Sequence, residues 1–277
     1  MEGTSALTAG RLAPVRANAG IAVRFVAKAG RTRLATLSQF DGYHLRLPNS
    51  RGPVEAVIVN SGGGLVGGDR IRFDLSVGED ASVRIATVAA ERVYRSLGPP
   101  SEVHVRMRLD HGARLDWLPQ ETILFSGGRL KRQLEAELAE DATLLLAECI
   151  VFGRAASGEE MGTGLLHDVR RIRRSGHLVF ADAALIDGDV GCLLARRAIA
   201  AGARAMALVL FVAPDAQARL EPVRALLAQA HSQAGAGALS GMLVVRLLAD
   251  AAQHLRADLT RVVEHLAGRA VPRVWEA

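Results

Sequence analysis

The residues most suggestive of chemistry stand in one run, Asn60-Ser-Gly-Gly-Gly-Leu-Val-Gly-Gly-Asp69. Gly62, Gly64 and Gly67 have the spacing of the fingerprint that binds a dinucleotide pyrophosphate, and they follow the apolar run 54–59. Such a site needs its last glycine to open a helix, because helix N-terminal N–H groups hold the pyrophosphate. Here residues 70–77 alternate apolar and polar side chains, as a strand does. The phosphate loop of nucleoside triphosphatases fails more sharply. Gly68 and Asp69 follow Gly67 where a lysine and a serine or threonine are required. An NAD(P)-dependent oxidoreductase using Gly62–Gly67 is kept as an alternative reading. The structural reading is a wide hairpin loop whose glycines permit positive φ and close backbone approach. A backbone bare of side chains also lets another chain or an ion come near.

Other constellations are thin. The sequence has no GxSxG and no HExxH, and its eight histidines show no metal-ligand spacing. His167, Asp168 and His254 read as surface or structural residues. Cys149 sits in the apolar stretch 143–152 and reads as inert core. Arg170, Arg171, Arg173 and Arg174 are the densest positive patch, read as the exposed face of a hairpin turning at Ser175-Gly176. The formal charge is +5, almost all from arginine, which keeps a basic nucleic-acid-binding protein as a further alternative. Against it, the charge is interleaved with acids and aromatics make up only 4%.

The elements that must position these residues fall into two parts. Up to Asp189 the period is two, as at Ile71-Phe73-Leu75-Val77 and Val103-Val105-Met107-Leu109. A weak repeat joins these runs. Leu75 to Ala81, Leu109 to Ala113 and Leu138 to Ala142 each read as strand, polar turn, alanine, next strand. The turns recur roughly every 30 residues, a spacing of stacked strand units, though the repeat is too degenerate to specify a solenoid. The nearly unbroken apolar run 143–152 should be covered on both faces. From residue 190 on, the pattern predicts a helix to about 203, a strand over 205–213 and a helix from Asp215 to about His231. A flexible link at Gly235–Gly237, a strand over 242–248 and an amphipathic helix over 250–266 follow. The expected fold is mainly β with a minor α/β C-terminal part. A long layered sheet body, 1–189, carries a strand-helix-strand-helix part, 190–277, packed on it as one domain.

Hydrophobic residues make up 49% of the chain, high enough to imply apolar surface reserved for partners. The two cysteines form no framework, and the N-terminal stretch lacks the apolar core of a signal peptide, so a cytoplasmic location is expected. The longest apolar run, 205–213, falls far short of the ~20 residues that span a bilayer, so no membrane partner is expected.

Several segments together resemble one family. The run from Asn60 to Asp69 resembles the N-x-S/T-G-G-hydrophobic-x-G-G-D segment of UreD, the urease accessory family also called UreH. Thr87-Val-Ala-Ala-Glu-Arg-Val-Tyr-Arg-Ser96 is similar to its T-x-x-A-x-K-x-Y-R-S, and Leu115-Asp-Trp-Leu-Pro-Gln-Glu-Thr-Ile-Leu-Phe125 to its L-E-W-L-P-Q-E-x-I-x-F. Glu148 to Glu159, with Val151-Phe-Gly-Arg154 and Gly158-Glu159, is similar to E-x-x-x-F-G-R-x-A-x-G-E, and Pro272-Arg-Val-Trp275 matches the family's end. Two positions depart from the pattern: Ser126 where aspartate is common, and Arg92 where lysine is usual.

The resemblance implies a β-rich, non-catalytic scaffold that joins UreF and the GTPase UreG on apo-urease. It also implies a tunnel for nickel(II), carried transiently with no tightly bound cofactor. The candidate functional loop is then Asn60, Ser61, Gly62, Gly63, Gly67, Gly68 and Asp69. Asp69, Glu121, Glu148 and Glu159 are the acids inside the matched motifs and the candidates for the metal path. Each has a plainer reading as the hydrogen-bonded partner of an arginine such as Arg95 or Arg154. Tyr94, Arg95 and Arg154 are structural or partner-contact candidates.

Overall fold

A computed structural model describes residues 16–49, 53–154, 158–159 and 161–276. The chain enters through β1 (Asn18–Lys28), β2 (Arg31–Phe40) and β3 (Tyr43–Arg46) and then winds into a coil. β4 (Val54–Asn60) lies in one sheet and β5 (Arg70–Val77) in the sheet facing it, β6 (Ser82–Thr87) returns to the first, and short β7 (Glu91–Val93) closes the side. β8 (Ser101–Leu109), β9 (Arg114–Leu118) and β10 (Thr122–Leu124) repeat that circuit, and β11 (Arg129–Leu138) with β12 (Thr143–Phe152) begins a third. β13 (Thr163–Arg174) and β14 (His177–Asp189) form the hairpin expected at Ser175-Gly176. Then come α1 (Val190–Ala195), β15 (Ala205–Val212), α2 (Leu220–Leu227), β16 (Gln233–Leu239), β17 (Met242–Ala249) and α3 (Ala252–Ala267).

Successive circuits stack in parallel. β5, β8, β11 and β13 pair side by side in the seven-stranded sheet, whose order is β14-β13-β11-β8-β5-β1-β2. β4, β6, β9 and β12 do the same in the ten-stranded sheet, which runs on through β15, β17 and β16. The mainly β, layered fold expected from the sequence is therefore found, and the weak repeat is a true coil. Its alanines explain why. Ala81, Ala113 and Ala142 are buried at the corners. Each closes its own turn, through bonds from their N–H groups to the carbonyls of Gly78, Asp110 and Ala139 at 3.0, 3.1 and 3.2 Å. The next circuit docks on them: Arg114 N–H donates to the Ala81 carbonyl at 2.9 Å and Thr143 N–H to that of Ala113 at 2.8 Å. Larger side chains would push the circuits apart.

One apolar core fills the space between the sheets. A second lies on the outer face of the ten-stranded sheet, beneath α2, α3 and residues 273–275. β12 feeds both: Leu144, Leu146 and Ile150 point inward, while Leu145 and Ala147 meet the second core. That is the two-sided cover its sequence required. The C-terminal part differs from expectation in three places. α1 stops at Ala195, and 196–202 form turns. The helix expected from Asp215 begins as a 3-10 turn, Ala216–Arg219, with α2 ending at Leu227. Pro222 falls in the first turn of α2, where its missing N–H costs nothing. The expected link at Gly235–Gly237 is the middle of β16, paired along its length with β17. Alanine and glycine carry no side-chain period, so only backbone pairing reveals that strand. The 60–69 loop is likewise not a hairpin, because β4 and β5 belong to facing sheets.

The corner stacking makes Ala113→Leu a sharp test. It should cost about 1–3 kcal/mol by overpacking the turn, read as a fall in chemical-denaturation midpoint. Glu79→Ala, on the exposed rim of the neighbouring corner, should leave the midpoint unchanged.

Candidate functional site

The glycine run forms a tight corner from β4 to β5. A Cβ on Gly64 would lie 2.6 Å from the Arg92 carbonyl oxygen and 2.6 Å from the Tyr94 ring, and one on Gly67 would lie 1.8 Å from Ser96 Oγ. These glycines therefore allow the corner to press against β7 and the segment after it. There Leu65 N–H donates to the Arg92 carbonyl at 2.7 Å and Tyr94 N–H to that of Leu65 at 2.9 Å. Ser61 Oγ ties the corner to the Gly42 carbonyl at 2.9 Å. Asp69 is buried and locks the far side, its two oxygens accepting from Ala17 N–H and Val66 N–H at 2.9 Å each. No Lys or Arg pairs with it among the described residues.

Asn60 turns inward from the same corner. Its Oδ1 accepts from Gly62 N–H at 2.8 Å, and its Nδ2 donates to Tyr43 Oη at 2.9 Å and Glu91 Oε1 at 3.0 Å. Tyr43 in turn donates to Glu91 Oε2 at 2.8 Å. Burial holds the Glu91 carboxyl above the usual carboxylate range, although Tyr43 and Asn60 both favour its charged form. Burial and the adjacent Glu91 push the Tyr43 phenol far up, so it stays protonated. This trio opens on an interior cavity of about 150 Å³ between the sheets, walled by Ile71, Phe73 and Val105 and ending at Trp117, Arg132 and Glu148.

The inner end of the cavity is a buried ion network. Arg132 grips Asp168 with both Nε (2.9 Å) and Nη2 (2.6 Å) and reaches Glu148 at 3.3 Å. Arg170 donates to Glu148 at 2.9 Å and to Asp168 at 2.6 Å, and Trp117 Nε1 adds a bond to Glu148 at 3.3 Å. Burial disfavours the Asp168 charge, but Arg132 and Arg170 outweigh it and hold the carboxyl below its ordinary range. The network reaches the sheet edge through Asp182, 3.7 Å from Arg170 and 2.7 Å from the exposed Arg246.

Arg170, expected on the exposed face of a hairpin, is thus inside, and Asp168, read as a surface or structural residue, has the structural role; of the arginine patch only Arg171, Arg173 and Arg174 remain outside the network. The signal was in the strand parity. Asp168 and Arg170 share the inward phase of Leu166 and Ile172, as Arg132 does with Leu130 and Leu134, and Glu148 with Leu146 and Ile150. Glu91 and Arg132 were not singled out at all.

The four motif acids do not form one line. Glu148 lies in the network, and Asp69 braces the corner. Glu121 sits behind the ten-stranded sheet, paired with Arg256 at 2.9 Å. Beside it the half-buried Cys149 thiol is pushed up to about 12 by burial, which makes it a poor thiolate. Here two matched segments meet: Trp275 Nε1 donates to the Leu118 carbonyl at 3.0 Å, and Gln120 Nε2 donates to that of Val274. Glu159 pairs with Arg154 at 3.2 Å on an open groove. The Arg154 guanidinium lies 4.6 Å over the Phe125 ring, which meets Tyr94 edge-on at 5.2 Å, and Arg95 lines the same groove. Among the described residues no three His, Cys, Asp or Glu side chains converge on a metal site, and no helix is long and apolar enough to cross a membrane.

Comparison with known proteins agrees with the segments that meet in this site. The family model described as UreD urease accessory protein matches residues 17–276. The chain belongs to the UreD family. It is 47% identical over 253 residues to the urease accessory protein UreD of Methylobacterium sp. (strain 4-46), covering 89% of this chain and 90% of that one. With UreD of Xanthobacter autotrophicus it shares 48% identity over 255 residues, 91% of this chain and 88% of that one. With UreD of Rhodopseudomonas palustris (strain ATCC BAA-98 / CGA009) it shares 39% over 273 residues, 98% of each.

Two substitutions test this geometry. In Asp69→Asn the new amide places a donor against one of two backbone donors, so it should cost about 1–3 kcal/mol in equilibrium unfolding. It is therefore not a clean test of charge. Arg132→Met leaves Asp168 and Glu148 sharing Arg170 alone and should cost about 3–5 kcal/mol. A thermal midpoint within a degree or so of wild type would contradict the buried network.

Proposed function

We propose that this chain acts in urease maturation as a non-catalytic scaffold. In this reading it works with UreF and the GTPase UreG on apo-urease, and nickel(II) passes through it as cargo. The observation that carries the reading is the polar seam crossing the apolar space between the sheets. It starts at Tyr43, Asn60 and Glu91, continues through the cavity to Glu148, Arg132, Asp168 and Arg170, and reaches the edge at Asp182 and Arg246. Polar groups inside a sheet sandwich are costly unless they serve a purpose or are fully paired. Oxygen donors spaced along an interior path suit a cation that must be released as readily as it is bound. The charge-balanced inner end fits this too, because guanidinium groups compete with any passing cation for the carboxylates.

The nucleotide readings lose their footing at the same corner. Gly67 and Gly68 lead into strand β5 rather than into a helix, and the lysine of a phosphate loop is missing. GTP hydrolysis in this reading belongs to UreG.

Apo-urease matured in vitro with UreF, UreG, GTP and nickel(II) should hold at least about tenfold less nickel when this chain is left out, in proportion to the lost activity. Metal analysis of the re-isolated urease checks this. Equal nickel content with and without the chain would overturn the scaffold and the conduit together.

A further inference from the structure

We propose that residues 272–276 are a removable stopper over a gap in the ten-stranded sheet, and that their displacement opens the interior cavity sideways. The device goes beyond the scaffold reading and does not depend on what the cavity holds.

The ten-stranded sheet is not continuous over the cavity. β12 pairs with β9 up to Leu146 and with β10 from Ile150, so the ladder skips Ala147, Glu148 and Cys149 on that side. One strand further, β6 and β9 part after Ala86 and Leu118, and β7 and β10 meet again at Glu91 and Thr122. Residues 88–90 and 119–121 cross this gap as irregular chain. There Gln120 N–H donates to the Thr87 hydroxyl at 2.8 Å rather than to a backbone carbonyl. Val88, Ala89, Ala90, Pro119 and Gln120 line the cavity on one side and, on the other, an outer groove of about 460 Å³ beside α3. A single layer of chain therefore separates the two spaces. β12 marks the same boundary, since Glu148 lines the cavity and the next residue, Cys149, lines the groove.

The C-terminal segment covers this wall from outside. Gln120 Nε2 donates to the Val274 carbonyl, and Trp275 Nε1 to that of Leu118 at 3.0 Å. Arg256 bolts the wall to the tail. Its Nη1 donates to Gln120 Oε1 at 2.6 Å and to Glu121 at 2.9 Å, while Nη2 donates to the Trp275 carbonyl at 2.6 Å. The same guanidinium lies 5.0 Å from the centre of the Trp275 ring. Yet among the described residues no backbone–backbone hydrogen bond joins 272–276 to either sheet. The N–H groups of Trp275 and Glu276 bond within the segment, to the carbonyls of Pro272 and Arg273. A segment held through side chains opens at a lower free energy than the paired strands beneath it. Gln120 is at once a wall residue of the cavity and a partner of the tail, so release of the tail frees the wall.

Trp117 lines the cavity and Cys149 the groove, so the two report on opposite sides of the wall. The sequence has two tryptophans and two cysteines, so W275F and C192S make each reporter unique. In the full-length W275F/C192S chain, acrylamide quenching of Trp117 and the reaction of Cys149 with dithiodipyridine give the closed reference. A C192S chain ending at residue 271 should raise both rates by about threefold or more. R256M in the W275F/C192S chain keeps the tail but removes its bolt, and should raise both by about twofold. If Cys149 becomes more reactive while Trp117 stays protected, the tail only covers the outer core and the proposal is overturned. No change in either reporter overturns it as well. The shortened chain decides where its chemical unfolding stays as cooperative as the reference, and the R256M chain decides where it does not.

Discussion

Arg132 meets Asp168 because β11 and β13 pair in a single register, with those two residues directly opposite. Everything polar in the interior depends on that alignment. Side chains alternate faces along a strand, so a slip of one residue would turn Arg132 outward and carry Lys131 into the core. The corners prevent the slip. Each circuit of the coil is anchored at its turn by backbone bonds to the circuit before it, through Ala81 and Ala113. Small residues at the corners thus hold a charged cluster in the middle of the strands. The cluster in return penalises any misregister, since a buried carboxylate separated from its guanidinium is far more costly than a displaced leucine.

This explains which parts of the molecule could be read in advance. Period-two runs and alanine-marked turns identified the strands, because local patterning and final packing ask for the same residues there. The apolar run 143–152 declared its two-sided burial for the same reason. Arg170 belongs inside although its charge suggests the surface: it lies two residues from inward-facing Ile172, in phase with Leu166 and Asp168, and parity alone places it in the interior. β16 was invisible for the opposite cause. Residues 233–239 have almost no side chains to carry a period, and their strand exists through pairing with β17. Glu91 on β7 finds its partners on β3 and the end of β4, a convergence that only the winding of the coil creates.

The resemblance to a family was carried by segments far apart in the chain, and the fold gives them a common location in pairs. The glycine corner packs on the segment from Arg92 to Ser96, which is why Gly64 and Gly67 cannot carry a Cβ. The segment Leu118 to Glu121 receives the C-terminal Trp275 and Arg256. Phe125, Tyr94 and Arg154 stack in the open groove. Each motif is therefore first a packing solution. Asp69 illustrates the point: both its oxygens brace backbone N–H groups, so its chemistry in this structure is that of a turn clamp.

The two ends of the interior are electrostatically unlike. At the outer end the Glu91 carboxyl is held by the Tyr43 hydroxyl and the Asn60 amide, with Arg92 acting on it electrostatically. At the inner end Asp168 and Glu148 are matched by Arg132 and Arg170. On the conduit reading, a cation at the inner end would have to compete for the carboxylates with guanidinium groups that cannot lose their protons.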